Sequence, residues 1–345
     1  MADFCNDLKV IPQFVGSCWF NAFLMATLYS QYSRKILINA SKKWNKKDKF
    51  LNILRYILKK NYNDPSIAYY YNQIQPQLLL FKFLKKYDKY LEIIIKEKIK
   101  KNLYNFGWNN FYFPAFLKNI NPKTIDIYYD SDTDTNIINM YKNIVMNYNN
   151  GEINVLYKPQ KYNIENERNE IIKYVNDVPD YIILYHSKLN TNTIISKSFK
   201  YLKKYFKDDY KAFDLSSYDI KYEGIKEYKD IITFNGVKYK LDSCIIGNFD
   251  DGISKHSIVG ITCNDNRYVY NGWTINTNDP AMKKNNLKKG DAFPCSLIKF
   301  NWNLNNNQEF CLNRKLCKLD FDDKKKDDLC DTFLMCVYYY IQLHK

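Results

Sequence analysis

Histidine is scarce in this chain, with His186, His256 and His344 the three among 345 residues. An enzyme that needs an imidazole at neutral pH therefore has few candidates. The nine cysteines (Cys5, Cys18, Cys244, Cys263, Cys295, Cys311, Cys317, Cys330 and Cys336) are odd in number and form no paired framework. The start, "MADFCNDLKV", has no apolar signal region. Together these predict free thiols in a reducing, intracellular compartment, cytoplasmic or nuclear. No window approaches the roughly 18 apolar residues of a membrane-spanning helix, so no membrane partner is expected. Nothing in residues 42–101 matches an RRM, KH or zinc-finger pattern, and the chain shows neither an internal repeat nor a clean linker. Cys311, Cys317, Cys330 and Cys336 are spaced C-x5-C twice with no histidine near. Structural zinc sites use about two to four intervening residues. These four therefore read as free cysteines on a strand and a helix, and no metal or cofactor is implied.

What is abundant is apolar and aromatic. Hydrophobic residues make up 46% of the chain, with 32 Tyr and 21 Phe, enough for a large core. Lys, Asn, Ile and Tyr have A/T-rich codons, so a bias of this kind is what a low-GC genome is expected to produce. The net charge of +15 is uneven: residues 42–101 hold 16 Lys+Arg against 5 Asp+Glu, which is +11 of it. This reads first as the solvated face of two lysine-rich helices. Attraction to nucleic acid or another anionic surface is the secondary reading.

Along the chain, residues 18–31 read as a helix apolar on nearly every side. Residues 47–60 and 78–101 carry apolar residues at helical spacing. Residues 105–120 are aromatic-rich, and "TIDIYY" (124–129) alternates like a strand. Residues 130–180 are polar, with a helix expected near 136–148. "PDYIILYHS" (179–187) and "PCSLIKFNW" (294–302) read as strands. Residues 230–246 form two strand patterns around Asn235-Gly236, a strong hairpin signal. Residues 256–263 and 267–273 flank an Asn-Asp-Asn turn, a second hairpin. "FLMCVYYYIQL" (333–343) reads as a docked core helix. Helices first and an antiparallel sheet later argue an α+β fold. The expected organisation is one catalytic domain, 1–345, with a basic helical subdomain at 33–120 and a β-sheet subdomain at 178–302.

Within this frame one set of residues carries chemistry. Gly16-Ser17 delivers Cys18 to a helix start, where unpaired N–H groups and the helix dipole favour a thiolate. His256 opens the second hairpin, after a loop at 247–255 with Gly247 and Gly252 as expected hinges. The hairpin turn brings Asn271 back toward His256, where it is expected to accept the imidazole Nδ1–H and leave Nε2 facing the nucleophile. Trp273 is expected to shield that hydrogen bond. Gln13, with the Cys18 N–H, is the candidate oxyanion hole. His186 ends a strand with no partner motif, and His344 is the penultimate residue.

"GSCW" (16–19) resembles the sequence around the nucleophile of papain-like cysteine proteases. "NGW" (271–273) is similar to the Asn-Ser-Trp that carries their third catalytic residue. The chain order more closely resembles the ubiquitin-specific protease branch. Its Cys box reads Gly-Asn-Thr-Cys-Tyr/Trp-x-Asn, and "GSCWFNAFL" keeps Gly16, Cys18, Trp19 and Asn21. A strand after a proline, a Tyr-x-Leu strand (239–241), a Gly-bearing loop, the histidine and a strand ending in Asn follow in the same order. The resemblance covers 10–32 and 178–275, about a third of the chain. Lys255 and Ser257 depart from the usual Gly and Tyr flanking the histidine, and the basic stretch 33–120 has no counterpart. The resemblance implies a papain-like α+β fold and a cysteine peptidase cutting peptide or isopeptide bonds. Its catalytic residues would be Cys18, His256, Asn271 and Gln13, with Trp19, Asn21, Gly247, Gly252 and Trp273 around the substrate. The implied partner is a protein with an extended, ubiquitin-like tail. Composition and the divergent core also resemble proteins of large cytoplasmic DNA viruses. That opens a maturation protease acting on viral polyprotein or capsid precursors, in host cytoplasm or virion. A non-catalytic scaffold binding nucleic acid through its basic helices is the other alternative. A transglutaminase-like enzyme would usually carry Asp where Asn271 stands.

Overall fold

The computed structural model describes residues 18–60, 64, 66, 117, 119–121, 123–130, 135–139, 145–149, 152–157, 178–185, 225, 227–250, 253–272, 297–302, 309–311, 330–332 and 334–342. Its helical elements are α1 (Cys18–Leu24), a π-helical turn (Met25–Tyr29), α2 (Gln31–Ser41) and α3 (Lys49–Lys59). The strands begin with β1 (Thr124–Asp130), β2 (Thr135–Asn139), β3 (Val145–Asn149), β4 (Glu152–Tyr157) and β5 (Tyr181–Tyr185). Next come β6 (Ile231–Phe234), β7 (Val237–Asp250), β8 (Ile253–Cys263) and β9 (Asn266–Tyr270). The last are β10 (Leu297–Lys299), β11 (Glu309–Cys311), β12 (Cys330–Thr332) and β13 (Leu334–Gln342). The chain is therefore mixed α/β. It divides into two compact units, Met1–Phe116 with Asp242–Met335, and Leu117–Leu241 with Cys336–Lys345.

In the first unit, antiparallel β7, β8, β9 and β10 follow one another in order, and α1, the π-turn and α2 pack on β8. Phe20 through Ser30 are buried without interruption. That is the all-round burial expected of a helix with no polar face. The expected single helix over 18–31 is instead broken. Thr27 Oγ1 donates back to Phe23 O at 2.9 Å, and Ser243 Oγ donates to Ala26 O at 3.0 Å, which supports the wider π geometry. Ser30 then turns extended and α2 begins.

The start of α2 is tied to distant strands. Asp242 Oδ2 accepts from Ser33 N at 2.9 Å and its Oδ1 from Tyr32 N at 3.3 Å, capping α2 from β7. Ser30 Oγ donates to Asp242 O and accepts from Thr262 N. Tyr32 donates to Asp265 in the β8–β9 turn at 2.6 Å, which pushes the phenol up to about 12. Arg34 is buried and donates to the carbonyls of Leu28, Ile57, Leu58 and Lys60. A guanidinium thus satisfies the C-terminal end of α3, where the helix dipole is negative.

In the second unit, the strand order is β13-β5-β1-β2-β3-β4. β5 is buried along its whole length, between antiparallel β13 and parallel β1. The sheet here is therefore not purely antiparallel. Tyr228 Oη spans the ends of β1 and β5, reaching Tyr129 O at 2.8 Å and Tyr185 O at 3.1 Å. β6 and the first residues of β7 form the hairpin read from Asn235-Gly236. Both turn residues have positive φ (47° and 70°), as a two-residue turn of that twist requires.

Three further expectations are corrected. The run 333–343 is a strand, β13, because Val337, Tyr338, Tyr339, Tyr340 and Ile341 favour a pleated surface over a helix. The helix near 136–148 is replaced by β2 and β3, whose ladder is antiparallel. Cys263 is disulfide-bonded, whereas Cys18 and Cys244 are in no disulfide; cysteine spacing alone does not disclose such a pairing. The expected helix at 78–101 lies outside the described residues.

Candidate active site

The second hairpin forms as its turn residues dictate. Asn264 and Asp265 take φ of 49° and 57°, a conformation that Asn and Asp tolerate better than other side chains. Val259 then pairs with Tyr270, so Asn271 follows at once and reaches diagonally to His256. Asn271 Oδ1 lies 2.9 Å from His256 Nε2. Both residues are buried, at 3% and 7% exposure, so water competes little for this bond. The nitrogen bonded to Asn271 is Nε2 and not the Nδ1 expected from the spacing. The amide oxygen can only accept, so Nε2 carries the proton and Nδ1 is the basic nitrogen of the neutral ring. Spacing sets which residues meet; only the ring's orientation on its strand decides which nitrogen does.

That orientation follows a defect in the ladder. Asn248 pairs with His256, but Phe249 pairs with Ser254. Lys255 is the extra residue of a β-bulge immediately before the histidine. Bulges bend a strand and re-aim the next side chain. The expected mobile loop at 247–255 is accordingly much shorter. β7 runs to Asp250 and β8 starts at Ile253. Gly247 is a buried rung opposite Ser257, not a hinge.

Cys18 opens α1 and is half-buried, and α1 packs on β8, the strand of His256. Its thiolate would lie near enough to Tyr270, the neighbour of Asn271, to oppose ionisation of that phenol. Burial is the main reason the Tyr270 hydroxyl is held well above its usual range, and the Asn21 side chain bonded to it works the other way. Asn21 is fully buried. Through that bond it ties α1 to the end of β9. Among the described residues, the Cys244 thiol is pushed up to about 12 by burial and is a poor nucleophile for that reason. Gln13, Gly252, Trp273, His186, His344 and the Trp19 side chain lie outside the described residues. Among the described residues, no cluster of three or more His, Cys, Asp or Glu could hold a metal ion, and no helix is long and apolar enough to cross a membrane.

No known family model and no curated protein matches the chain. Among solved structures it is similar to the Saccharomyces cerevisiae apo Pan2 pseudoubiquitin hydrolase-RNA exonuclease module in complex with AAGGAA RNA. The identity is 8% and the TM-score 0.41, over 97% of this chain and 54% of that one. It is also similar to the yeast SAGA DUBm with a mutant Sgf73, at 9% identity and TM-score 0.35, over 100% of this chain and 70% of that one. The chain thus spans about half the length of the Pan2 chains it matches.

Proposed function

We propose that the chain is a cysteine-type hydrolase of peptide or isopeptide bonds, with a papain-like catalytic core in its first unit. The observation that carries the reading is the buried His256–Asn271 pair, 2.9 Å apart, on the strand against which the Cys18 helix packs. Cys18 Sγ gives its proton to His256 Nδ1 and attacks the substrate carbonyl carbon. The tetrahedral intermediate collapses to a thioester as the amine leaves with the proton from His256. Water then gives a proton to His256 and attacks the thioester. Cys18 departs as the thiolate and is reprotonated, and the new carboxylic acid is released. Asn271 holds the ring through Nε2 throughout, keeping Nδ1 toward the thiol. Gln13 and the Cys18 N–H are the proposed oxyanion donors. Trp19, Gly252 and Trp273 are the proposed contacts of the substrate's extended tail, and the Cys box points to a ubiquitin-like tail.

An electrophilic thiol probe, read by peptide mapping on the intact chain, tests this. Cys18 should be labelled faster than the other thiols, and His256→Ala should slow it by about a hundredfold or more. Equal labelling of Cys18 and Cys244, or indifference to His256→Ala, would sink the hydrolase reading. A ubiquitin carrying a C-terminal electrophile then tests the substrate class. Labelling of Cys18 by small peptide electrophiles alone would replace a ubiquitin-like substrate by another protein substrate, such as a viral precursor.

A further inference from the structure

We propose that the turn between α2 and α3, with the outer face of α3, is a docking surface for single-stranded nucleic acid. This goes beyond the hydrolase reading and does not depend on it. Residues 42–60 contain seven Lys and one Arg against a single acid, Asp48. That acid is buried, and its Oδ1 accepts from Phe50 N at 3.0 Å and Leu51 N at 3.2 Å. Its charge is committed to the N-terminus of α3. Lys42, Lys43, Lys46, Lys47, Lys49 and Lys59 are all exposed.

The lysines are presented on a rigid support. Arg55 turns inward and donates to Ser41 O and Trp44 O, at 3.1 and 2.9 Å from its Nη2. Its guanidinium lies over the buried Trp44 ring, 6.0 Å from the centroid. Asn45 Oδ1 accepts from Lys47 N at 2.9 Å, and Asn52 donates to Lys46 O. A turn so braced holds like charges close together, at a cost that a bound polyanion relieves. Phosphates spaced along a strand match such a row.

Tyr56 decides between strand and duplex. At 53% exposure it is the most exposed large hydrophobic side chain among the described residues. It lies seven residues after Lys49 and three before Lys59, which puts the three on one face of α3. Lys49 and Lys59 stand about 15 Å apart along the axis, with the ring between them. An aromatic ring flanked by cations takes an unstacked base on its face while the lysines follow the backbone. A duplex keeps its bases stacked inside and offers that ring nothing.

The test uses the full chain and a fluorescein-labelled oligouridylate about 12 nucleotides long, read by anisotropy between about 50 and 200 mM salt. An oligothymidylate of equal length distinguishes RNA from DNA, and either supports the proposal. The logarithm of the affinity should fall with the logarithm of salt by about 0.7 per phosphate engaged. The combined variant Lys42→Gln, Lys43→Gln, Lys46→Gln and Lys47→Gln should lower that slope by about 3. Tyr56→Ala should weaken binding about tenfold with the slope unchanged, and Tyr56→Phe should restore it. These side chains are exposed, so circular dichroism should be unaltered in every variant. A slope unmoved by the four lysine changes would overturn the proposal. So would equal affinity for a duplex or for polyglutamate with no effect of Tyr56→Ala, since that is attraction to an acidic polymer or protein surface.

Discussion

Replacing Gly260 by alanine tests whether the strand carrying the candidate base is packed as described. Gly260 lies in β8, four residues after His256, directly beneath the indole of Trp302. A Cβ there would meet Trp302 Cε2 at 2.6 Å, and Cδ2 and Nε1 at 2.7 Å. Ordinary carbon contacts begin near 3.5 Å, so the ring must retreat by about 1 Å. It has nowhere to go without loss. Trp302 is fully buried and its Nε1–H donates to Tyr268 O at 3.1 Å. The Arg267 guanidinium also lies over the ring, 4.5 Å from its centroid. Overpacking costs about 1–3 kcal/mol, and loss of the indole hydrogen bond adds about 1 kcal/mol. The expected destabilisation is therefore about 3 kcal/mol. Urea unfolding followed by tryptophan fluorescence would register it as a lower midpoint at constant slope. In a Trp302→Leu background the ring is gone, and the added methyl should cost less than about 1 kcal/mol, a coupling of about 2 kcal/mol. A cost for Gly260→Ala within about 0.5 kcal/mol, or the same cost in both backgrounds, would refute the packing argument.

Further outcomes follow from the polar groups. Asp242 has its carboxyl pushed up to about 6 by burial, against 3.8 ordinarily. The folded carboxyl thus holds its proton more tightly than the unfolded one. Its contribution is complete below about pH 4 and is lost as pH rises through about 6, a change of about 3 kcal/mol. The difference in urea midpoint between wild type and Asp242→Asn, followed from pH 4 to 7, should trace that loss. Arg34→Met removes the donors for four carbonyls and should destabilise the first unit by about 3 kcal/mol in the same assay, with Arg34→Lys only partly restoring it. Asn271→Ala should slow labelling of Cys18 by an electrophile at least about tenfold while leaving the melting temperature within a few degrees.

The parts of the site that could be read from sequence are those set by local rules. Asn235-Gly236 and Asn264-Asp265 announce their turns because few residues accept positive φ. Once the second turn is placed, the meeting of His256 with Asn271 is a matter of counting rungs. What escaped depends on interactions with no local signature. The bulge at Lys255 adds a residue without any change in composition, and it settles where β7 and β8 end and how the histidine is aimed. β13 escaped because an apolar run fits a buried helix or a buried strand equally well until its neighbours are known. The pairing of Tyr339 with Ile183 supplies those neighbours. Asn21 matched the Cys box as a letter; its place against Tyr270 is a tertiary fact.

The capping of α2 by β7 has a consequence for biosynthesis. Ser30 and Asp242 are separated by 212 residues, and Thr262 N reaches Ser30 across 232. At about 5–20 residues per second, the ribosome needs about 10–40 s between completing one partner and the other. Throughout that interval the apolar segment from Phe20 to Tyr29 has emerged without the strands that cover it. Over most of its synthesis the nascent chain thus exposes an apolar segment of the kind that favours aggregation.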